Sequence, residues 1–307
     1  MIPTSNSVQR LGISATAATY GLGIGLDSGA DVSLDSVRLS ANHHIGFFVD
    51  GSNTAAAIAR LLIDGTLPQK SDNASGVGLL MRKGAQVTLE DARLSGNCHI
   101  GLNAEGAATQ LHANRLVIGG TLPQQSDKKY GFGVSLTAGA AVVVQDARIS
   151  ANHGCGLALD WTGTTLAARR ILVDGTLPEQ SSKEYGRGLA LQYGATVELL
   201  ASRVDGKATG EDTALADGVE LQSSPDAALG QCLILANERT GVLIESSSGV
   251  QLKRSLISGA KGLYGLVFQN TLDAIDQFNL VFGASVKDRA QDAGLSLPAP
   301  PQPVKTL

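Results

Sequence analysis

GLLMRKGAQVTLEDARLSGNCHIG, residues 78–101, contains one full period of the pattern that decides the fold. Apolar and polar residues alternate in it, as at Val87 and Leu89, which predicts short strands with one buried face. Asn97 follows the last apolar pair, and Gly101 opens the next period. The spacing of apolar residues that a helix needs is absent.

The same pattern recurs along the chain. GTLP occurs at Gly65, Gly120 and Gly175, spaced by 55 residues. Within each 55-residue unit, the pattern glycine, apolar, any, apolar occurs twice. The glycines that open it are Gly23, Gly46, Gly78, Gly101, Gly133, Gly156, Gly188, Gly218, Gly241 and Gly265. Steps of 23 and 32 residues indicate a basic period of 23, lengthened by a loop after each GTLP.

Three short strands joined by turns fill such a period, whereas a strand with a crossover helix does not fit. Stacked copies lie parallel about 4.8 Å apart, and parallel connections are right-handed. The sequence predicts an all-β protein, a right-handed single-stranded parallel β-helix (solenoid) of about ten coils with a 55-residue two-coil repeat, over residues 1–285. Residues 286–307 are predicted to form the remnant of a C-terminal cap, with a short helix after Ser285 and a proline-rich tail.

The coil motif of an apolar pair, then Asn, then Gly resembles the right-handed parallel β-helix repeat proteins of the pectate-lyase-like superfamily. It is formed by Leu39, Asn42 and Gly46; Leu94, Asn97 and Gly101; Ile149, Asn152 and Gly156; Ile234, Asn237 and Gly241. The resemblance covers roughly residues 8–285. It implies this fold and a secreted or cell-surface location, although no signal peptide is present in the chain. The aspartate clusters and Gly-His-Gly signature of related hydrolases are missing, so the resemblance transfers no catalytic residue.

The repeated asparagines have a structural interpretation. Asn tolerates the left-handed conformation that a sharp turn needs, and its amide can hydrogen-bond to neighbouring backbone. We therefore expect Asn42, Asn97, Asn152 and Asn237 to be turn residues.

Composition excludes several function classes. The 307 residues carry a net charge of -4, so no global basic field exists to attract nucleic acid or an anionic membrane. No apolar segment approaches the 20 or so residues of a membrane span, so membrane insertion is not expected. Cys98, Cys155 and Cys232 are an odd number, which argues against a disulfide framework.

A repeated histidine and cysteine position resembles a metal site at first sight. His43, Cys98 and His153 share one register, with His44 and His99 beside two of them. Copies two coils apart lie about 9.6 Å apart at the strand spacing of a sheet, which is too far to share one metal. We expect turn packing, no metal and no cofactor. Cys155 shares the register of Ile45 and Ile100, and we expect it to be a small core residue.

A polar column lies four residues after each coil glycine, and it contains the weak catalytic candidates. They are Asp27, Asp50, Arg82 and Glu105. Two carboxyl groups on consecutive coils, about 5 Å apart, would suit a retaining glycosidase, with Arg82 binding an acidic sugar. The alternative is a solvated face on which Arg82 neutralises Asp50 and Glu105.

Arginine recurs once per coil, each time outward and before a buried Leu, Ile or Val. The residues are Arg38, Arg60, Arg93, Arg115, Arg148, Arg170 and Arg203. We expect them to form one row, in which like charges on neighbouring strands repel unless anions neutralise them. Nearby aspartates are one source of those anions. A linear polyanion such as an acidic polysaccharide is the other, because arginine holds carboxylates in a bidentate fork.

The loops QKSDNAS, QQSDKKY and EQSSKEY leave one edge at every second coil and contain Tyr130 and Tyr185 at matching positions. These tyrosines are candidates for stacking on sugars, or for packing each loop onto the coil. Trp161, the only tryptophan, follows Asp160 at a strand end and allows the same two interpretations.

The leading functional hypothesis is a non-enzymatic, extracellular or cell-surface scaffold or adhesin-like module that binds acidic polysaccharide. The regular units favour it, since an active site usually breaks a repeat at one place, yet the repeat does break near Asp217. The alternatives are a polysaccharide lyase or glycoside hydrolase, and an architectural module. In each case we expect the chain to be part of a larger chain or assembly.

Overall fold

The computed structural model describes residues 21–206, 216–259, 262–271 and 273–295. Within those ranges the chain forms β-strands and no helix, so the prediction of an all-β protein is confirmed. Accordingly, these ranges hold no helix that could cross a membrane. The first 20 residues of the predicted β-helix, most of the segment 206–217 and the proline-rich tail lie outside them.

The strands are short and follow one another closely. In chain order they are β1 (Leu22–Leu26), β2 (Asp31–Ser40), β3 (Ile45–Asp50), β4 (Ala55–Asp64), β5 (Val77–Arg82), β6 (Gln86–Ser95), β7 (Ile100–Glu105), β8 (Gln110–Gly119), β9 (Phe132–Thr137), β10 (Ala141–Ser150), β11 (Cys155–Asp160), β12 (Thr165–Asp174), β13 (Arg187–Gln192), β14 (Thr196–Leu200), β15 (Arg203–Val204), β16 (Val219–Gln222), β17 (Ala228–Gly230), β18 (Leu233–Ile234), β19 (Thr240–Glu245), β20 (Gln251–Lys253), β21 (Leu256–Ser258), β22 (Tyr264–Gln269), β23 (Ile275–Gln277), β24 (Leu280–Phe282) and β25 (Lys287–Gln291).

Two large parallel sheets hold these strands, and the chain alternates between them. Sheet A has the order β1-β3-β5-β7-β9-β11-β13-β16-β19-β22-β25. Sheet B has the order β2-β4-β6-β8-β10-β12-β14-β17-β20-β23. The short strands β15, β18, β21 and β24 pair with one another in that order, and β15 pairs with β12, so they belong to the same sheet. We call one strand of sheet A, together with the sheet-B strands that follow it, a rung.

Successive rungs keep one register, so equivalent side chains lie beside one another in columns. In sheet B, for example, Val87 pairs with Leu111, which pairs with Val142. The inward columns of both sheets form one continuous apolar core, to which Leu79 and Leu89 belong with 0% and 1% exposure. Full burial of such a side chain contributes about 1.5–3 kcal/mol, so the core is the main stabilising element of the repeat.

Each long strand of sheet B bends at its sixth residue, which has a left-handed backbone. The six residues at the bend have φ between 54° and 58°, and they are Ser36, Arg60, Asp91, Arg115, Asp146 and Arg170. The bend explains why the apolar alternation skips one position in each period. Both Glu90 and Asp91 point away from the core, which resumes at Ala92. We call the outward column at this bend the corner column.

The glycines that open each period occupy the second column of sheet A, where the backbones of neighbouring rungs approach closely. A Cβ atom on Gly78 would lie 2.5 Å from the carbonyl oxygen of Gly101, and one on Gly133 would lie 2.7 Å from that of Gly156. Real Cβ atoms do not approach other atoms so closely, so these positions require glycine.

The asparagine of the repeated motif has the predicted hydrogen-bonding role. Oδ1 of Asn97 accepts from the backbone N–H of Thr66 at 3.0 Å, and Oδ1 of Asn152 accepts from that of Thr121 at 3.1 Å. The predicted left-handed conformation, however, falls one residue earlier, as at Ala151, where φ is 53°. Asparagine therefore supports the turn through its side chain rather than through its own backbone.

The three loops after GTLP stack on one another. The backbone N–H of Ser126 donates to the carbonyl of Asn73 at 3.0 Å, and that of Ser181 donates to the carbonyl of Lys128 at 3.0 Å.

A second buried apolar cluster lies on the outer side of sheet A, partly against Tyr130, and comprises Ile45, Val77, Leu80, Ile100, Phe132, Cys155, Ala158 and Ala190. Sheet A is thus packed on both faces.

The C-terminal end differs from the sequence prediction. The segment Lys287–Gln291, where a short helix was expected, is strand β25 and pairs in parallel with β22. Parallel pairing in sheet A therefore includes residues after 285, and Ala290 joins the buried residues Leu243 and Val267 in one apolar cluster on that sheet.

Candidate functional site

The seven predicted arginines lie in two columns of sheet B rather than in one row. Arg60, Arg115 and Arg170 occupy the corner column, where they alternate with Ser36, Asp91 and Asp146. The other four lie two residues further along the sheet, in the outward column that also contains Leu62 and Leu172. Consecutive arginines therefore never lie directly opposite each other, which removes the expected repulsion.

The corner column is neutralised by its own aspartates. Arg170 donates from Nε and Nη2 to the two carboxylate oxygens of Asp146 at 2.7 and 2.8 Å, and Arg115 holds Asp91 in the same bidentate way. Arg60 pairs with Asp35. These hydrogen bonds lower the pKa of Asp91 and Asp146 below its usual range. All of these side chains are exposed, so the pairs contribute little stability.

The second column alternates arginine with aliphatic residues, and we call it the arginine–aliphatic column. It comprises Arg38, Leu62, Arg93, Val117, Arg148, Leu172, Arg203 and Leu233. Arg148 pairs with Asp174 at 3.1 Å, and Arg203 pairs with Asp205 at 2.6 Å. Arg38 donates only to the Ser40 hydroxyl at 3.2 Å, and within the described ranges Arg93 has no carboxylate partner.

A surface depression joins the two columns over three to four rungs. Its space is about 880 Å³, open to solvent, and its lining includes four arginines and two aspartates: Arg93, Arg115, Arg148, Arg170, Asp91 and Asp146. Val117, 39% exposed, forms part of its floor. The lining therefore has a positive balance and an apolar centre.

Three of the weak catalytic candidates share one outward column of sheet A. Asp50 pairs in register with Arg82, which pairs with Glu105. Asp27 follows Leu26, whose partner is Val49, the residue before Asp50. Asp50 accepts from Arg82 Nε at 3.1 Å and from Lys83 Nζ at 3.3 Å. The guanidinium of Arg82 also lies 5.0 Å from the centre of the Phe48 ring. Asp50 is thus held between two cations.

The loop tyrosines pack against their own rungs. The Tyr130 ring meets His99 and Phe132 edge-on, with centroids 5.0 and 5.6 Å apart. Tyr185 lies under the guanidinium of Arg187, at 4.9 Å from ring centre to Cζ. Both rings therefore pack against side chains of the protein, which favours the loop-packing interpretation over stacking on sugars.

The repeated histidines and cysteines are turn and packing residues. His43 and His153 hydrogen-bond through Nδ1 to the carbonyls of Pro68 and Thr121 at 2.8 and 3.0 Å. Burial lowers the pKa of His99 to about 4 and raises that of Cys155 to about 12. Cys155 is buried at the strand position that Ile45 and Ile100 occupy in other rungs, as predicted, although in the outer cluster of sheet A rather than between the sheets.

A buried ionic cluster lies where the repeat breaks, and sequence reasoning missed it. Arg187 donates from Nη1 to Glu220 Oε2 at 2.9 Å, with both side chains at most 2% exposed. Arg239 donates from Nε to Asp217 Oδ1 at 2.8 Å in the next rungs. One signal was available: Arg187 occupies the column in which the preceding rungs place Ile100, Phe132 and Cys155.

An aromatic pair lies at the edge of this cluster. The rings of Trp161 and Tyr193 stack with centroids 5.3 Å apart and an angle of 25° between their planes. Asp160, which precedes Trp161, is only 8% exposed. Burial raises its pKa to about 7, Arg187 opposes that shift and Glu220 adds to it. The carboxyl group is therefore partly protonated near neutral pH.

No protein-family model, no curated protein and no solved structure matches this chain.

Proposed function

We propose that the rungs close into the right-handed parallel β-helix, of about ten coils and pectate-lyase-like type, that the sequence predicts. We also propose that the protein is a non-enzymatic scaffold or adhesin-like module, secreted or on the cell surface, that binds an acidic polysaccharide along the arginine–aliphatic column. The observation that carries this proposal is the alternation of exposed arginine and aliphatic side chains in that column, with Arg38 and Arg93 lacking carboxylate partners in the described ranges.

The spacing suits a particular ligand. Arg38, Arg93 and Arg148 recur at every second rung, about 9.6 Å apart at a strand spacing of about 4.8 Å. A linear polymer whose sugars advance by about one strand spacing, and whose every second sugar is acidic, would place one carboxylate at each arginine. The neutral sugars between them would lie over Leu62 and Val117. Bidentate hydrogen bonds from arginine would orient the carboxylates.

The two arginine columns differ in how completely the protein's own carboxylates balance their charge. The corner column uses its own aspartates to hold Arg115 and Arg170 beside the depression. In the arginine–aliphatic column Arg148 and Arg203 also have carboxylate partners, whereas Arg38 and Arg93 have none in the described ranges. An anionic polymer would complete the charge balance that the protein leaves open there.

The catalytic alternative has weaker support. A retaining glycosidase needs one carboxyl group free to attack and another free to donate a proton. Asp50 is engaged by Arg82 and Lys83, and Asp27 is exposed to solvent. The purely architectural alternative explains the regular rungs but not the unpaired arginines.

The test is binding to hyaluronan, in which uronic acid alternates with a neutral sugar, compared with neutral dextran at low and high salt. We expect hyaluronan to bind and dextran not to bind, with the affinity falling as salt screens the charges. The variant R38Q/R93Q/R148Q should lose about tenfold or more in affinity. A control that removes three exposed cations elsewhere, K253Q/R254Q/K287Q, should bind normally.

Two results would overturn the proposal. Equal binding of both polymers, unaffected by salt, would exclude the arginine–aliphatic column as the site. Shortening of either polymer during incubation would replace the non-enzymatic function with the catalytic alternative.

A further inference from the structure

Trp161 occupies a turn position at which most rungs have a small or polar residue. It follows the last residue of a sheet-A strand, and this turn position has a left-handed backbone in the described rungs. Apart from Trp161 and Tyr193, the residues there are Ser28, Gly51, Lys83, Gly106, Ala138, Ser223, Ser246 and Asn270. A bulky side chain with φ of 74° is conformationally unfavourable, so the turn does not explain why tryptophan is present.

The next rung repeats the exception. Tyr193 occupies the same position with φ of 51° and stacks on Trp161. Because the two rings stack from rung to rung, their other faces point towards the adjacent rungs. Those rungs have only Ala138 and Ser223 at the equivalent position. Trp161 accordingly remains 45% exposed, so part of its ring surface is open to a ligand.

Polar groups with unused hydrogen-bonding capacity lie beside the rings. Oε1 of Gln192, in the neighbouring rung, is buried without a donor. Asp160 is 8% exposed as a residue, and in the described part of the chain no group donates a hydrogen bond to its carboxyl oxygens. Buried polar groups normally have hydrogen-bond partners. Because Asp160 directly precedes Trp161 in the chain, a ligand packed on the indole ring would lie near this carboxyl group.

Together these groups match one class of ligand. A pyranose ring has an apolar C–H face that packs on an aromatic ring, and hydroxyls at its rim that bond to carboxyl and amide groups. An acidic sugar would be repelled by the ionised form of Asp160, because the nearby cation Arg187 is already paired with Glu220. We propose that Trp161, Tyr193 and Asp160 form a binding site for a neutral pyranose unit of a glycan. This site lies on sheet A and does not depend on the arginine–aliphatic column.

The single tryptophan makes the site directly observable, since all indole fluorescence of the protein comes from Trp161. The probes are neutral hexasaccharides of glucose, N-acetylglucosamine, mannose and xylose. We expect at least one of them to shift the Trp161 emission saturably. If none does so, the proposal is overturned.

Variants measured by calorimetry with the same probe locate the contact. W161G should abolish binding while keeping the fold, because glycine suits the left-handed turn. Y193G and D160N should each weaken binding about tenfold or more. F278A, which removes an exposed aromatic from a left-handed position elsewhere, is the control and should bind normally. Unchanged binding by a folded W161G protein would also overturn the proposal.

The two proposed binding sites can be tested independently of each other. R38Q/R93Q/R148Q should keep neutral-sugar binding, and W161G should keep hyaluronan binding. Loss of hyaluronan binding alone would leave the Trp161 site standing, and loss of hexasaccharide binding alone would leave the arginine–aliphatic column standing.

Discussion

Arg187 Nη1 lies 2.9 Å from Glu220 Oε2 on the outer side of sheet A, and neither side chain has meaningful access to water. The pair replaces apolar residues: Arg187 follows Cys155 in its column, and Glu220 lies between Ala190 and Leu243. Burial raises the pKa of Glu220, whereas the charge of Arg187 lowers it. Each charge is therefore tolerated because the other is present.

Removing one member should be worse than removing both. R187I or E220L should each lower the unfolding free energy by about 3–5 kcal/mol, because an uncompensated buried charge remains. The double variant R187I/E220L should lose much less, since it restores the residue types of neighbouring rungs. Urea unfolding of the three variants checks this expectation. Additive losses in the double variant would show that the pair is not coupled.

Asp160 should make stability fall with rising pH. Its pKa in the folded protein, about 7, exceeds its ordinary value of 3.8, so the folded state retains a proton that the unfolded state has released. The contribution is favourable below about pH 4 and is lost progressively up to about pH 7, by at most about 4 kcal/mol. Unfolding of D160N across this range should lack that component. D27N, at the equivalent but exposed position, is the control, and an identical effect there would contradict the assignment.

Gly133 should tolerate no side chain. In G133A, the new Cβ would lie 2.7 Å from the Gly156 carbonyl oxygen and 2.6 Å from Ile149 Cγ2, both of which are held by the repeat. We expect a loss near the upper end of the about 1–3 kcal/mol found for overpacked cores. G25A is the matched control, because its Cβ would meet only the end of the Leu22 side chain at 3.5 Å. Equal thermal midpoints for the two variants would refute the close-approach argument.

The corner aspartates should limit polyanion binding rather than provide stability. D91N/D146N removes two negative charges from the lining of the depression and releases Arg170, while Arg115 keeps its ion pair with Glu90. We expect little change in thermal midpoint, because these pairs are exposed and screened by water. Hyaluronan affinity should increase, and most strongly at low salt. Unchanged affinity at low salt would mean that the depression does not contact the polymer.

Much of the architecture follows from local rules that a sequence displays directly. Period-two alternation and the glycine spacing predicted the strands, their parallel pairing and the register of columns such as Asp50 with Arg82. The close approach at Gly78 explains why that spacing is so regular. The helix expected after Ser285 was wrong because Ala290 is needed in the apolar cluster with Leu243 and Val267.

The arginine arrangement shows where sequence reasoning failed. Arg38 and Arg60 both precede a buried aliphatic residue, so they look equivalent in the sequence. Both strands have the same left-handed bend, at Ser36 and at Arg60. Arg60 is the sixth residue of β4, whereas Arg38 is the eighth residue of β2 and pairs with Leu62, so the two arginines lie in different outward columns.

The sequence by itself determined the repeat, the all-β class and the positions at which glycine and asparagine are required, because these depend on contacts between identical neighbours. Only the tertiary structure decided which charges meet. Arg187 with Glu220, Arg115 with Asp91 and the stacked rings of Trp161 and Tyr193 join residues from 24 to 33 positions apart. Those distances in sequence become contacts only after the rungs are stacked, and charge pairing depends on separations of a few ångströms.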